Sequence, residues 1–499
     1  MSAALQFVAK DYFATPEARP ALPDLAFMKR VSAEHDALQA LLLWLGRVDP
    51  AKRWRQQGVK ALLATSLNLL DDLLNEQLNA ILHQSDFQAL EANWRGLWLL
   101  TEQAAQDDGD DQVKVKVLDL DWQELSKDLH KAMEFDQSRL FAKIYSDEFG
   151  TPGGEPFGLL LGAYAVSHRN QGGVTNLDSL KELSRVAAAA FAPLILNADP
   201  SLFGVDSFQD LTGVRELESH FNAPELAKWR SLRDMEEARF LGLALPGILM
   251  RPPYRERGQG PEGFRFREHQ EREADHLWGP ACFGVGTVAI RAFCQSGWFS
   301  QIRGYRAGQV AHGVIDNLPA LSAVTGGFHP GRSPVNWQVT DRMEKILADE
   351  GFLPLLPLAN TGMLLMPSVP SVQRPARYQE AGAQISARLS AMLHYTLCVS
   401  RFAHYLKVMG RDRVGGYRTP QECESQLQRW LHGYTMASEG ATDEMRSRFP
   451  LREARVQVKE RAGEPGRYYS VIRLQPHFQL DQMVTGVKLV TELTPAQGA

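Results

Sequence analysis

The stretch GTPGGEPFGLLLGAYAV, Gly150 to Val166, places glycines and prolines directly before a run of apolar side chains. It is either a phosphate-binding loop or a turn that leads into a buried strand. A phosphate-binding loop follows a strand, precedes a helix and, in the nucleotide-hydrolysing form, carries a lysine. Here the stretch contains no lysine, and Asp147, Glu148 and Glu155 would repel a phosphate. The stretch therefore predicts a turn that enters a buried strand.

The residues that follow extend this strand into an α/β layer. Asp178–Phe191 has the spacing of an amphipathic helix, and Pro193–Ala198 has the apolar run of a short buried strand. A helix predicted at Ala223–Phe240 leads to a second buried strand within Leu241–Tyr254. Residues 299–375 are rich in Gly and Pro and predict mainly short strands and loops. This alternation of helices and strands predicts an α/β (α+β) fold.

The first part of the chain is predicted to be helical. Prolines break residues 1–60 into a leader and a helical arm. In the next helix, leucines and one isoleucine recur at steps of three and four and predict a face that packs inward: Leu63, Leu67, Leu70, Leu74, Leu78 and Ile81. Phe87–Leu100 and Asp121–Phe135 predict two more helices. Between them, Val113–Val117 alternates valine with lysine and predicts a half-buried strand.

The second half of the chain ends in a strand-rich segment. Charged, Gly-rich residues 255–276 predict an exposed insertion. Helices are predicted at Leu277–Trp298, Ala376–Met409 and Pro420–Met436. A hairpin and a last strand follow at Ala454–Glu460, Arg467–Gln475 and Val484–Leu493. A terminal strand leaves an unpaired edge, and in an assembly such an edge can bind a strand of a neighbour.

Composition places the chain among ordinary folded proteins. With 499 residues it is too long for one hydrophobic core, so at least two domains are expected. The formal charge of −5 and the lack of a basic block argue against binding to nucleic acid or to a membrane surface. Four cysteines in so long a chain indicate a reducing compartment. No signal peptide or spanning helix is recognisable, so a cytoplasmic protein is expected.

Several motifs suggest chemistry, but each has a simpler explanation. GVGTVA, Gly284–Ala289, matches a weak dinucleotide fingerprint, yet it lacks the preceding strand and the acid about 20 residues later. A helix whose small residues allow close packing explains it better. His269, Glu273 and His276 could seed a metal site, but they lie in a run of mixed charge that is typical of a solvated face.

Two further histidines, His394 and His404, would lie on different faces of one helix, and His404 is expected to be a core or interface residue. Hence no catalytic, cofactor-binding or metal-binding residue is predicted. An enzyme that binds a dinucleotide at Gly284 and Gly286 stays open as the least favoured hypothesis.

A series of segments, in order along the chain, resembles the large subunit of the contractile sheath of bacterial type VI secretion systems, the TssC/VipB/EvpB family. The segments span Phe87 to Leu480 with gaps, and SRFAHYLKV and LEANWRGLWLL are the most specific. They are FQALEANWRGLWLL (87–100), GEPFGLLLGAY (154–164), LFGVDSF (202–208), AKWRSLRDMEEARFLGLALP (227–246), LWGPACFGVGTVAIRAFCQSGWFSQIRG (277–304), VTDRMEKILADEGFLPL (339–355), SRFAHYLKVMGRDRVGGY (400–417) and PHFQL (476–480).

The resemblance implies a fold, partners and a role. It implies a helical N-terminal region, a tail-sheath core of mixed sheets at about 61–375 and a C-terminal gpW-like α+β domain at about 376–499. It implies a structural subunit without catalytic activity or cofactor. This subunit pairs with a small sheath subunit (TssB/VipA), polymerises with copies of itself around a tube of Hcp and meets baseplate components. The ATPase ClpV dismantles the contracted sheath, mainly through the small subunit.

The resemblance also assigns roles to residues. The strand expected to link subunits contains Val484, Val487, Leu489 and Val490. The residues of the family motifs, expected in the core or at interfaces, are Trp94, Arg95, Phe157, Gly158, Tyr164, Trp229, Arg230, Trp278, Arg303, Arg401, Phe402, His404, Tyr405, His477 and Phe478.

Some positions depart from the family pattern. Ala163 and Ala165 stand where acidic residues are usual, Gln475 stands where arginine is usual, and Tyr305 and Arg306 replace an acidic pattern. These departures leave an alternative open: an accessory sheath paralogue that acts as a cap, an adaptor or a baseplate-proximal ring.

Overall fold

The computed structural model describes residues 25–48, 56–107, 112–151, 153–168, 170–171, 174–213, 217–254, 264, 266–305, 312–319, 333–358, 361–412, 420–438, 442–460, 468–477 and 487–493. The chain divides into two compact units, Met1–Glu76 and Gln77–Ala499.

Helices dominate the described residues. In chain order they are α1 Leu25–Ala33, α2 Ala37–Val48, α3 Gln56–Leu82, α4 Ser85–Gln106, α5 Trp122–Lys131, α6 Arg139–Phe141, α7 Asp147–Phe149, α8 Asn176–Ala190, α9 Leu217–His220, α10 Ala227–Arg233, α11 Cys282–Ser296, α12 Asp341–Asp349, α13 Ala381–Ser390, α14 Leu393–Asp412, α15 Pro420–His432 and α16 Asp443–Arg448.

The strands are shorter, except near the C-terminus. They are β1 Leu160–Val166, β2 Asn170–Gln171, β3 Val174–Thr175, β4 Leu194–Ala198, β5 Leu241–Leu245, β6 Ile248–Leu249, β7 Trp278–Gly279, β8 Val314–Ile315, β9 Phe352–Pro354, β10 Leu356–Pro357, β11 Leu364–Leu365, β12 Leu451–Glu460, β13 Tyr468–Pro476 and β14 Val487–Leu493.

A parallel sheet in the order β1-β4-β5-β9 lies at the centre of the second unit. Side chains of a strand alternate between the two faces of its sheet, so both faces of a buried parallel sheet must be covered. In β4, Leu194 and Leu196 join one hydrophobic cluster with Leu180 of α8. Ile195 joins a second cluster with Val288 of α11 on the other face. The predicted α/β layer is confirmed, including the turn that leads from Gly150 into β1.

A second, antiparallel sheet, β12-β13-β14, belongs to the C-terminal domain. Its hydrophobic cluster combines buried residues of α14 and α15 with alternate residues of the strands, for example Phe402, Leu427, Leu431, Ile472 and Leu474. Helices and strands are segregated here, so this part is α+β. The predicted hairpin and last strand are confirmed, and β14 pairs with β13 of its own chain over Val487–Leu493.

The strand predicted at Val113–Val117 is wrong. These residues form no strand within the part of the chain that the structure describes, and Val115 and Val117 are exposed. Instead of flanking a buried ladder, Lys114 and Lys116 form ion pairs with Glu155 and Glu148. Alternation of apolar and polar residues favours a strand only where a neighbouring strand offers hydrogen bonds.

Two predicted helices are interrupted. The helix predicted at Ala376–Met409 splits into α13 and α14. At the break, the main chain hydrogen-bonds to residues 369–371 instead of continuing the helix: Ser371 N donates to Ala391 O at 2.9 Å, and Leu393 N donates to Val369 O at 2.9 Å. The helix predicted at Ala223–Phe240 reduces to α10 between short 3₁₀ turns.

The prediction for residues 299–375 missed helix α12. The Thr340 side chain accepts a hydrogen bond from Met343 N at 3.4 Å and so caps this helix. A threonine at the N-cap is a start signal that the sequence contained.

Candidate assembly interface

Of the six residues of α3 predicted to pack inward, Leu78 is half-buried and the other five are exposed, contrary to the prediction. We call Leu63, Leu67, Leu70 and Leu74 the leucine face. Leu67 is 60% exposed and Leu74 is 50% exposed. Leu38 and Leu42 of α2 are also exposed. Contiguous apolar surface of this kind marks an interaction site, because leaving it in water is unfavourable. The periodicity predicted the helix correctly, but it could not distinguish a core from an interface.

Helix α4 packs on α11 through one face and exposes the other. A Cβ on Gly96 would collide with the ring of Phe283, and a Cβ on Gly286 would lie 2.6 Å from Leu100. The helices therefore approach each other through glycines. On the opposite side, an aromatic stripe is exposed, in which Trp94 is 65% and Trp98 is 60% exposed. The motif LEANWRGLWLL thus supplies both a tight core contact and an exposed surface.

A buried ion network holds α4 in place. Arg251 donates to both carboxylate oxygens of Glu268, at 2.6 and 2.9 Å, and to Glu91 at 2.8 Å. Glu91 also accepts from Arg95 at 2.8 Å, and Arg95 reaches the hydroxyl of Tyr254 at 3.3 Å. Buried charges of this kind are stabilised by pairing and hydrogen bonds on every side. The motif residue Arg95 is therefore a positioning residue of α4.

Residues 255–263 and 265 of the predicted exposed insertion at 255–276 lie outside the described residues, and in its remainder the prediction is wrong for Glu268 and His276. Both side chains are buried, although several residues between them are exposed. Asn79 fixes this segment by donating to Arg267 O at 3.1 Å and accepting from His269 N at 2.8 Å. The high charge of the segment suggested solvation, but Arg251 and Asn79, distant in sequence, anchor part of it.

Three motif residues lie just before or within β1. The ring of Phe157 lies 5.1 Å from Lys116 Nζ, and Gly158 faces Phe299. The Tyr164 hydroxyl donates to Leu120 O, and its ring lies 5.1 Å from that of Trp122. Burial raises the pKa of Tyr164 to about 12, so the hydroxyl keeps its proton. These contacts are structural.

Three further motif residues, Trp229, Arg230 and Trp278, make defined contacts within the second unit. Trp229 is buried and stacks on Phe352, with ring centroids 5.3 Å apart. Arg230 donates to two carbonyls of the preceding loop, Phe221 O at 2.8 Å and Ala223 O at 2.7 Å. Trp278 donates to the carbonyl of Glu273 at 2.9 Å.

The SRFAHYLKV motif forms the centre of the C-terminal domain. Phe402 stacks on Trp298 at 4.0 Å, and Arg401 lies over Tyr405 at 4.7 Å. His404 is buried, and its Nε2 donates to Ala190 O at 3.0 Å, which connects α14 to the end of α8. Burial lowers the pKa of His404 to about 4, so the ring is neutral. The prediction that His404 is a core or interface residue is confirmed.

Lys407, one turn after His404, forms an additional link that the prediction missed. Its Nζ lies 4.9 Å from the ring of Tyr145, 5.3 Å from Phe149 and 4.5 Å from Phe191. Burial lowers its pKa to about 8. The rings stabilise the charged form through cation–π attraction. In the sequence, the signal for this contact was a lysine among the apolar positions of a predicted helix.

Residues next to Arg303 and His394 bind the segment 366–369 through the main chain. Gly304 N donates to Met366 O at 2.8 Å, and Leu393 N donates to Val369 O at 2.9 Å. Burial and the nearby charge of Arg303 lower the pKa of His394 to about 3. His394 and His404 are both buried on α14.

The remaining predicted residues lie at the C-terminal end. His477 N donates to Pro450 O at 2.8 Å, and burial lowers the pKa of its ring. Val487, Leu489 and Val490 lie on β14. Phe478 and Val484 lie outside the described residues.

The positions that depart from the family pattern lie in different parts of the chain. Ala163 and Ala165 are exposed on β1, an edge strand of the central sheet. Tyr305 is exposed, Gln475 lies on β13, and Arg306 is outside the described residues. None of these placements favours an accessory role.

The sequence motifs that suggested a dinucleotide site or a metal site lie in packed helices and aromatic contacts. GVGTVA lies within α11, so the prediction of a closely packed helix is confirmed. His276 stacks on Trp278 at 5.8 Å. Among the residues that the structure describes, no group of three or more His, Cys, Asp or Glu side chains could hold a metal ion. Within the same residues, no helix is long and apolar enough to cross a bilayer.

Comparison with known proteins covers most of the chain. Residues 65–373 match the VipB family, described as the EvpB/VC_A0108 tail sheath N-terminal domain. Residues 382–493 match its tail sheath gpW/gp25-like domain. A relative from Pseudomonas aeruginosa, the type VI secretion system sheath protein TssC1, is 36% identical over 437 residues, which cover 86% of this chain and 85% of that protein.

Among solved structures, the chain matches a chain of the cryo-EM structure of the anti-feeding prophage baseplate with a TM-score of 0.36 and 8% identity. This match covers 75% of this chain and 82% of that chain.

Proposed function

This chain belongs to the VipB/EvpB family of tail sheath proteins, and we propose that it builds the type VI secretion sheath as the large partner of a heterodimer with the small subunit TssB/VipA. As a sheath protein it is a structural subunit of a contractile assembly. We further propose that the heterodimers polymerise around a tube of Hcp on a baseplate, in the cytoplasm. The contracted sheath would then be dismantled by ClpV through the small subunit.

The observation that carries the proposed pairing is the leucine face of α3. A row of exposed leucines along a long helix has the chemistry of one side of an obligate helical interface. Obligate interfaces bury upward of ~2,000 Å² and are more apolar than transient ones. A helix of the small subunit that packs on the leucine face would remove this surface from water.

The C-terminal sheet supports the proposed polymerisation. Strand β14 is the last strand of the described chain and lies at one end of the sheet order β12-β13-β14. A strand of another subunit can extend such a sheet by main-chain hydrogen bonds. Strand exchange keeps subunits tethered while they rotate, because the pairing persists as the connecting segments swing.

Contraction requires no bond-making chemistry in this chain. The extended lattice would be a kinetically trapped packing, and each subunit would release a few kcal/mol on repacking, as two-state elements commonly do. We therefore propose that the chain is not an enzyme. Titration calorimetry with NAD and with ATP is expected to show no binding, and heat of binding to either would revive a nucleotide-dependent role at Gly284 and Gly286.

The decisive experiment is co-expression with the small subunit, followed by negative-stain microscopy. We expect tubules or a stable heterodimer. The variant Leu67→Asp/Leu74→Asp is expected to abolish both, while the control Thr65→Ala/Asn68→Ala, on the same helix, retains them. Failure of the natural pair to associate would refute the proposed heterodimer. Deleting the gene distinguishes the two roles. Loss of the main sheath subunit abolishes sheath assembly, whereas loss of an accessory paralogue leaves sheath assembly intact.

A further inference from the structure

The outer edge of β12 is covered by side chains of helix α15. In an antiparallel ladder, alternate residues of an edge strand direct their N–H and C=O groups away from the paired strand. On β12 these outward groups belong to Ala454, Val456 and Val458, while the strand pairs with β13 on its other side. In most edge strands they would face water or another chain.

Two side chains of α15 bind these outward groups. Gln428 Nε2 donates to Ala454 O at 2.8 Å, and Val456 N donates to Gln428 Oε1 at 2.8 Å. Val458 N donates to Glu424 Oε2 at 2.9 Å. The side-chain amide of Gln428 presents an N–H donor and a C=O acceptor side by side, as a peptide group does, so it occupies the place of a residue in a neighbouring strand.

The start of β12 is covered as well, by main chain. Leu451 N donates to Tyr434 O at 3.2 Å, and Met436 N donates to Leu451 O at 2.8 Å, which makes a parallel bridge between Thr435 and Leu451. The outer edge is therefore occupied at intervals from Leu451 to Val458. At the other end of the sheet, β14 pairs with β13, and no other described strand pairs with it.

We propose that Glu424 and Gln428 are guard residues that close the β12 edge, so that the C-terminal sheet accepts a strand of another subunit through the β14 side alone. The inference rests on the proposed function, in which a strand of another subunit joins this sheet. It specifies the edge at which that strand can pair. A sheet with two open edges could join neighbours on either side and in several registers. Closing one edge leaves a single direction of growth.

The test compares the full chain with the variant Glu424→Ala/Gln428→Ala. The matched control is Gln421→Ala/Gln426→Ala, two residues of α15 for which no hydrogen bond to β12 is described. In the guard variant we expect amide exchange at Val456 and Val458 to accelerate by roughly tenfold or more. We also expect concentration-dependent self-association of the chain alone in sedimentation velocity. The control should behave like the natural chain.

Unchanged exchange at Val456 and Val458 in the guard variant, or a variant that stays monomeric, would overturn the inference. If the double variant does not fold, exchange in the natural chain provides the test. The amides of Val456 and Val458 should then exchange as slowly as those paired within the β12–β13 ladder. Fast exchange of these amides would refute the proposed role of Glu424 and Gln428. The single change Glu424→Gln keeps an acceptor and should be neutral. Absence of polymers with the small subunit would instead refute the proposed function, since the guard measurements use this chain alone.

Discussion

At the scale of single residues, the absence of a side chain at Gly96 determines how α4 and α11 meet. The ring of Phe283 occupies the space that a Cβ would need. Glycine is unfavourable in a helix interior by about 1 kcal/mol relative to alanine, so its presence here is explained by the close contact.

We predict that Gly96→Ala lowers the free energy of unfolding by about 1–3 kcal/mol, because the added methyl group forces Phe283 or the helix out of place. Urea unfolding of the full chain measures the change. The matched control is Gly382→Ala on α13, where a Cβ meets nothing within 4 Å. There the same substitution should stabilise by up to about 1 kcal/mol. Equal effects of the two substitutions would contradict the crowding argument.

The second residue-scale prediction concerns acid stability and His404. Because burial lowers its pKa to about 4, the folded state keeps the ring neutral while the unfolded chain takes up a proton below about pH 6.5. The unfolded state then binds more protons, so the contribution of His404 is complete above pH 6.5 and is lost as the pH falls towards 4.

The variant His404→Gln keeps a donor for Ala190 O but does not titrate. It should be less stable than the natural chain at pH 7 and should show a smaller loss of stability between pH 7 and pH 5. Urea unfolding at the two pH values gives the comparison. A pH dependence identical to that of the natural chain would mean that His404 is not the group responsible.

At the scale of elements, we expect β14 to be needed for assembly but not for folding. The C-terminal cluster contains residues of α14, α15, β12 and β13. Removing β14 leaves the inner edge of β13 without its partner and removes the strand proposed to meet neighbours.

We predict that deletion of residues 484–499 leaves a folded chain that cannot polymerise with the small subunit. Circular dichroism would verify folding, and negative-stain microscopy would score tubules. A shorter deletion of residues 494–499 keeps β14 and should retain polymerisation. Tubules from the longer deletion would remove the argument from strand exchange.

At the scale of the whole molecule, stability should depend on the partner. A partner that binds the folded state stabilises it by mass action, by about 2.7 kcal/mol at a concentration 100 times the dissociation constant. The exposed leucine face is the surface expected to supply this binding energy.

We therefore predict that the apparent Tm rises with the concentration of added small subunit. The variant Leu67→Asp/Leu74→Asp should show no rise, while Thr65→Ala/Asn68→Ala should respond as the natural chain does. Differential scanning fluorimetry at several partner concentrations provides the measurement. A Tm independent of the partner would speak against an obligate pair.

The amino-acid sequence alone determined the order and type of most elements. The period of apolar residues indicated α3, α4, α8 and the hairpin of β12 and β13, because periodicity arises from local backbone geometry. Ordered motifs indicated the sheath family, which the matches over residues 65–373 and 382–493 confirm.

The tertiary structure decided which apolar faces are covered and which hydrogen-bonding edges are open. It left the leucine face exposed, left Val115 and Val117 exposed and buried Glu268 beside Arg251. It also closed the β12 edge with Gln428 of α15. Burial and pairing depend on residues far apart in the chain, so a local pattern predicts that a face is apolar or a strand is extended but not what lies against it.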